Sequence, residues 1–257
     1  MKDPRSSRPD RRTALHEWFC RSPGKLIAAT EALRIREALA GLRACRAVQV
    51  GGLGETDVLT ASRAPFCTLI ALAERSHDAC ATALRGSATA LPIDSETAEL
   101  VILPHVLEFE ANPHEALREA ARLLLPEGYL IVTGFNPWSQ FGAARLLWRR
   151  GARVPWCGNF LSFRRLRDWL ALLGLDLCSV RGCFFRPPLH SESALRWLSF
   201  METAGPAAAP WLAGVYVVLA RKRVATLTPI RPSWAPRARL VSVGLAGGAA
   251  ARTHGHG

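Results

Sequence analysis

Four places in the sequence combine residue types and spacings that could do chemistry. The segment VQVGGLGETD, residues 48–57, ends a short apolar run in three closely spaced glycines, Gly51, Gly52 and Gly54. Glycines after a strand let the backbone come close to a ligand, and a helix starting behind them offers unpaired N–H donors. Beyond the next apolar run stands Glu74, where a carboxylate can accept both hydroxyls of a ribose. A solvated carboxylate at a helix start is the equally weighted alternative. His105 closes a third run and is the one histidine at the end of a central strand, where open α/β sheets gather their ligands. Such a residue can take a proton as a general base, or simply hydrogen-bond the adjoining loop, which is the commoner case. The fourth place is GFNPWSQFGAARLLWRR, residues 134–150, where aromatic and aliphatic side chains stand beside Arg145, Arg149 and Arg150. Core packing, a lid over an apolar ligand pocket and docking on an anionic membrane surface all compete for it. The lid reading makes Trp138 a wall and Asn136 a polar contact.

Other reactive residues point nowhere in particular. The seven cysteines are an odd number, scattered, without a C-x-x-C pair, so neither a disulfide framework nor a zinc site is read. They are expected to be reduced thiols, several of them buried. His254 and His256 in the glycine-rich tail are two ligands at most, and no metal is expected.

The elements that must position these residues follow from length and pattern. A chain of 257 residues with 49% apolar content is long enough to bury one large core. No apolar run is long enough to span a membrane. The first twelve residues are charged with no apolar stretch behind them, so no secretory leader is read and a cytoplasmic protein is expected. The net charge of +12 divides unevenly: +6 over residues 1–46, −7 over 47–137, +6 over 138–220 and +7 over 221–257. An acidic centre with basic ends argues against a nucleic-acid partner, whose phosphates call for an organised basic stripe.

Apolar residues recur at helical spacing between Leu15 and Leu42, including Leu26, Ile27, Thr30, Leu33 and Leu39, with Pro23 and Gly24 splitting two helices. Five short apolar runs follow at Ala47–Val50, Phe66–Leu72, Ala98–Leu103, Tyr129–Thr133 and Val215–Ala220. Runs of this kind, separated by helical stretches, predict strands buried on both faces of a largely parallel sheet. A helix over Pro113–Leu125 has Asn112 to cap it, Pro113 at its first position and Glu115 at the third. Another is read near Phe163–Leu173, and the tail after residue 223 is expected to be disordered.

Residues 87–138, SATALPIDSETAELVILPHVLEFEANPHEALREAARLLLPEGYLIVTGFNPW, resemble the core of class I S-adenosylmethionine-dependent methyltransferases, in particular the subgroup that includes quinone-biosynthesis enzymes. The resemblance runs from Ala88–Pro92 through Glu99 and LPHVLEF to LREAARLLLPEGYLIV. It resumes at RRLRDWLALLGLDL and at VYVVLARK, which looks like the last, antiparallel strand of that fold. It implies a Rossmann-like α/β domain over residues 47–223, an N-terminal arm and helical cap over 1–46, and a basic tail over 224–257. It also implies S-adenosylmethionine as cofactor: Gly51, Gly52 and Gly54 under its methionine part, Glu74 on the ribose, Ala88, Thr89 and Leu91 beside the adenine, and Leu103 to His105 lining the methyl-transfer side. The partner it implies is a small, apolar acceptor, with Asn136 and Trp138 on the acceptor side.

This chain departs from the family pattern at three points. Gln49 stands where an acidic residue is usual, Leu53 and Glu55 fall where the later glycines belong, and Ser87 replaces the strand-three aspartate. A shifted cofactor pose, weak binding and a retired enzyme that only binds a partner are all compatible with them. An RNA or protein methyltransferase docking through its Arg-rich flanks is a further rival, although LPHV replaces the N-P-P-Y type motif of base methylation.

Overall fold

The computed structural model describes residues 11–56, 58–72, 82–148, 153–189 and 191–223. Seven strands form one sheet: β1 (Arg46–Val50), β2 (Phe66–Ala71), β3 (Thr82–Arg85), β4 (Ala98–Pro104), β5 (Leu124–Phe135), β6 (Leu175–Cys183) and β7 (Val215–Lys222). Their order is β3-β2-β1-β4-β5-β7-β6. Five of them, from β3 to β5, pair in parallel, and β7 runs antiparallel to both β5 and β6. The helices are α1 (Arg11–Phe19), α2 (Gly24–Ala38), α3 (Pro113–Leu123), α4 (Gln140–Trp148), α5 (Phe163–Leu172), α6 (Glu192–Trp197) and α7 (Phe200–Ala208). The chain works outward from β1 to β3 and then crosses to β4, so the strand order reverses between β1 and β4. In open α/β sheets that reversal leaves a crevice beyond the carboxyl ends of the strands, where ligands sit.

The five apolar runs are strands because the sheet is covered on both sides. Along β4, Leu100 and Ile102 face a core shared with α1, α2 and α4, while Val101 and Leu103 face one shared with α3 and α5. Alternate residues go to opposite faces, and both faces are apolar, so the sequence reads as a continuous run.

Three local expectations are corrected. The glycine loop does not lead into a helix: before β2 the described residues hold only a 3-10 turn, Leu59–Ser62. Ser62 donates its hydroxyl to Leu59 O and accepts from Ala64 N, and Pro65 follows, so side-chain bonding and proline turn the chain out after one turn. The inner face of α2 is Ile27, Ala28, Glu31 and Ile35, whereas Leu33 is 51% exposed. Asn112 precedes α3 without capping it through its side chain; Pro113 begins the helix as read, and Leu124 already belongs to β5. α1, α2 and the sheet belong to one compact unit. The N-terminal arm up to residue 10, Glu74, Arg149, Arg150 and the tail from 224 lie outside the described residues.

Candidate active site

The carboxyl end of β1 is open in the way a close approach requires. Gly51 leaves the strand at φ 78° and Gly54 turns at φ 59°, both in the left-handed region that favours glycine. A methyl group on Gly51 would sit 3.4 Å from Leu72 Cδ1 and 3.5 Å from Val106 Cγ2; one on Gly52 would meet nothing within 4 Å. The main chain at Gly52 therefore faces space that no described residue fills. Gln49, buried just before the loop, donates from Nε2 to Gly51 O at 2.8 Å, while its Oε1 is buried with no partner among the described residues. Gly54 is held tightly from above: a Cβ there would lie 2.9 Å from the Phe19 carbonyl carbon, so the end of α1 rests on the loop.

Residues 87–91 follow β3 as a turn and not as a strand. Ser87 and Thr89 hydroxyls lie 3.0 Å apart, Ser87 Oγ also accepts from Thr89 N, and Ala90 N donates to Ser87 O. The hydroxyl that stands for the family's aspartate is thus used within the turn. α3 fixes what comes next: Glu119 accepts from Leu91 N, and Arg122 donates to Leu91 O. Ala88, Leu91 and Leu103 are buried in one apolar cluster with Val50 and Val106. Ala88, Leu91 and Leu103, implied for the base-binding and transfer sides, therefore share one apolar cluster with the end of β1, and Thr89 is half-buried.

His105 is brought to the end of β4, but it is sealed. Its ring is fully buried, with Nδ1 2.6 Å from Glu108 Oε2 and Nε2 2.8 Å from Glu31 Oε1. Phe19 and Phe135 pack on it at centroid distances of 5.2 and 4.2 Å. Burial alone would lower its pKa, but the Glu31 and then the Glu108 carboxylate outweigh that and push it up to about 10. At neutral pH the ring is an imidazolium clamped between two carboxylates. A general base needs an open lone pair, and His105 offers none, so the geometry does not fit that role. It is a positioning residue that ties α2 to the β4 end, while Glu108 Oε1 accepts from Phe135 N and ties β5 to the same point. Glu108 is itself pushed up by burial, with His105 pulling the other way. The carboxylates lie on opposite sides of the ring, and among the described residues no His, Cys, Asp and Glu group is placed to hold a metal ion.

Sequence reasoning missed Glu31, although a signal was present: a lone acid between Ile27 and Ile35 at spacings of four on an inner helical face.

Asn136 and Trp138 sit at the end of β5 and do different things. Asn136 Nδ2 donates to Trp211 O at 2.7 Å and to Ala213 O at 3.0 Å, and its Oδ1 accepts from Trp138 N. It staples β5 to the entry of β7, and both amide hydrogens are consumed. Trp138 is 77% exposed on the rim of a cavity of about 590 Å³ that also meets Phe163, Arg164, Trp211 and Tyr216. In α4, Phe141 and Ala144 point into the core, while Leu146, Leu147 and Trp148 face outward.

Residues 64–132 match the methyltransferase domain family, over the strands and turns whose order is given above. Over that stretch the chain is similar to a methyltransferase domain. The protein YafS of Escherichia coli K12, described as uncharacterized, is 30% identical over 147 residues, 56% of this chain and 57% of that protein. The chain thus spans little more than half the length of the curated relative it matches. A solved S-adenosylmethionine-dependent methyltransferase of Thermotoga maritima has a TM-score of 0.57 at 20% identity, covering 77% of this chain and 92% of its own. The [4+2]-cyclase SpnF has a TM-score of 0.51 at 20% identity, covering 74% and 80%. At these identities the likeness is one of fold, and fold alone does not fix a reaction.

Proposed function

We propose that the chain is an S-adenosylmethionine-dependent methyltransferase acting on a small, apolar acceptor. The observation that carries this reading is the β1 end: a left-handed Gly51, open space at Gly52, and the orphaned Gln49 Oε1 beneath them. The cofactor's methionine part carries an ammonium, and a buried acceptor without a donor is what such a group requires. Gln49 keeps the acceptor half of the carboxylate usual at this position. Gly51, Gly52 and Gly54 would lie under that part of the cofactor, Ala88, Thr89 and Leu91 beside the adenine, Leu103 on the transfer side, and Glu74 on the ribose. The cofactor supplies an electrophilic methyl group.

The chain's own contribution is proximity, orientation and exclusion of water, which together lower the barrier of an in-line displacement. With His105 clamped, no imidazole lone pair is available, which favours an acceptor that needs no proton removed by that residue. Trp138 and the cavity beside it support the acceptor side, and Asn136 shapes that side by stapling its walls instead of touching the acceptor. The exposed Leu146, Leu147 and Trp148 favour a face that meets an apolar surface, in keeping with a lipid-like acceptor.

A second reading, a binding module without transfer activity, is favoured by the 3-10 turn that replaces the helix after the glycine loop, since its N–H donors are lost. Calorimetry with S-adenosylmethionine separates the two. Saturable binding that Gly52→Val removes supports the enzyme; no heat at high cofactor concentration overturns it.

A further inference from the structure

A second cavity, of about 390 Å³, lies between the start of α2, the segment after β6, and α6. Its lining is of two kinds: Leu26, Ala29 and Leu195 are apolar, while Lys25, Arg186 and Arg196 are cations. Leu195 is fully buried in the core and Leu26 packs against that core, so the apolar part is a fixed floor. The cations come from three different elements, so no single helical face explains their convergence.

The charge around this cavity is not balanced. Arg186 is spoken for: its Nη1 donates to Leu195 O at 2.9 Å, and its Nε lies 3.3 Å from Glu202 Oε1. Glu202 is divided as well, since Oε1 accepts from Phe185 N. The side chains of Lys25 and Arg196 make no hydrogen bond or ion pair among the described residues. Among the described residues one paired carboxylate, Glu202, faces these three cations, and the positive end of the α2 dipole adds to the same sign beside Lys25. A concave site lined by one sign of charge over an apolar floor concentrates ligands of the opposite sign.

We infer that this cavity binds a small amphipathic anion, an acyl or aryl body carrying a carboxylate or phosphate. The apolar body covers Leu26, Ala29 and Leu195, and the anionic end bridges Lys25 and Arg196, with Arg186 behind them. Lysine and arginine both suit such a head group, the first as a point charge and the second as a fork of donors. The volume lies toward the lower end of the range for small-molecule sites, which excludes a folded partner. This site is read from charge and shape at this cavity alone, and it holds whether or not the chain transfers methyl groups.

The test uses the full chain and three probes: octyl phosphate below its micellar concentration, octanol and inorganic phosphate. Calorimetry is expected to give octyl phosphate at least about tenfold tighter binding than either half. Lys25→Gln and Arg196→Gln, both at exposed positions, should each weaken it by about three- to tenfold without moving the unfolding midpoint. Ala29→Glu, which sets a carboxylate on the floor at another exposed helical position, should remove it. The inference is overturned if octyl phosphate binds no better than octanol or than phosphate, or if both cation variants leave its affinity unchanged. It is equally overturned if only vesicles of phosphatidylglycerol bind while free octyl phosphate does not, because the charge then serves a bilayer surface. Should Ala29→Glu fail to fold, the two cation variants decide the matter.

Discussion

β1 and β4 lie side by side at the centre of the sheet, and both leave it through a residue in the left-handed region: Gly51 at φ 78° and His105 at φ 49°. At Gly51 this conformation costs little, and the absent side chain leaves the main chain approachable. At His105 the same turn costs about 1–3 kcal/mol, and it is held by two carboxylates and two phenylalanine rings. One strand end is built to be approached and the other to be filled. Two neighbouring positions with the same backbone geometry therefore have opposite uses, and it is the side chain that assigns them.

The sharpest way to break this contrast is to empty the filled end. His105→Ala leaves Glu31 and Glu108 buried without their shared cation, and should cost about 3–5 kcal/mol in urea unfolding. A loss under about 1 kcal/mol would mean that the clamp contributes nothing. The same group sets a pH dependence. Its folded pKa, about 10, stands above an unfolded value of 6.5, so its contribution is whole below 6.5 and is lost as pH climbs through 10. Stability should fall across that window with a slope approaching one proton, and the slope should flatten in His105→Ala. Glu108, also pushed up by burial, contributes a slope of the same sign.

At the open end, Gly51→Val forces a β-branched residue to φ 78° and should cost about 1–3 kcal/mol together with cofactor binding. Gly52→Ala is the finer probe: with open space around it, stability should stay within about 0.5 kcal/mol while cofactor affinity drops. Equal affinity in Gly52→Ala would place the cofactor elsewhere. Farther along the rim, Asn136→Ala loses the staple to Trp211 and Ala213 and should cost about 1 kcal/mol with cofactor affinity intact. Trp138→Ala, largely exposed, should change stability by less than about 0.5 kcal/mol and reduce turnover of the acceptor instead. A broad destabilisation would make Trp138 a packing residue.

The buried strands were legible because double-sided burial writes an apolar run into the sequence, as at Ala98–Leu103. The two edge strands were not. β3 is four residues long and almost wholly exposed, and β6 hides only its ends, so neither carries a run. Gly51 and Gly54 were legible because left-handed turns favour one residue type. His105 was visible by position, but its role was not, because its decisive partner lies 74 residues upstream on α2. In α4 the sequence shows that Phe141, Leu146, Leu147 and Trp148 are apolar, but which of them face the core depends on packing that no local pattern records. Asn136 resembled a ligand contact because polar residues at strand ends often are, and only its two carbonyl partners show that it is a staple.

The position of α2 bears on how the chain is made. This helix packs against β6 and β7, the last two strands of the sheet in chain order, so its inner stripe of Ile27, Ala28 and Ile35 has no complete seat until Lys222 has been added. At ordinary translation speeds that is a wait of roughly ten to forty seconds. The inner stripe of α2 thus gains part of its seat only after β6 and β7 have been added.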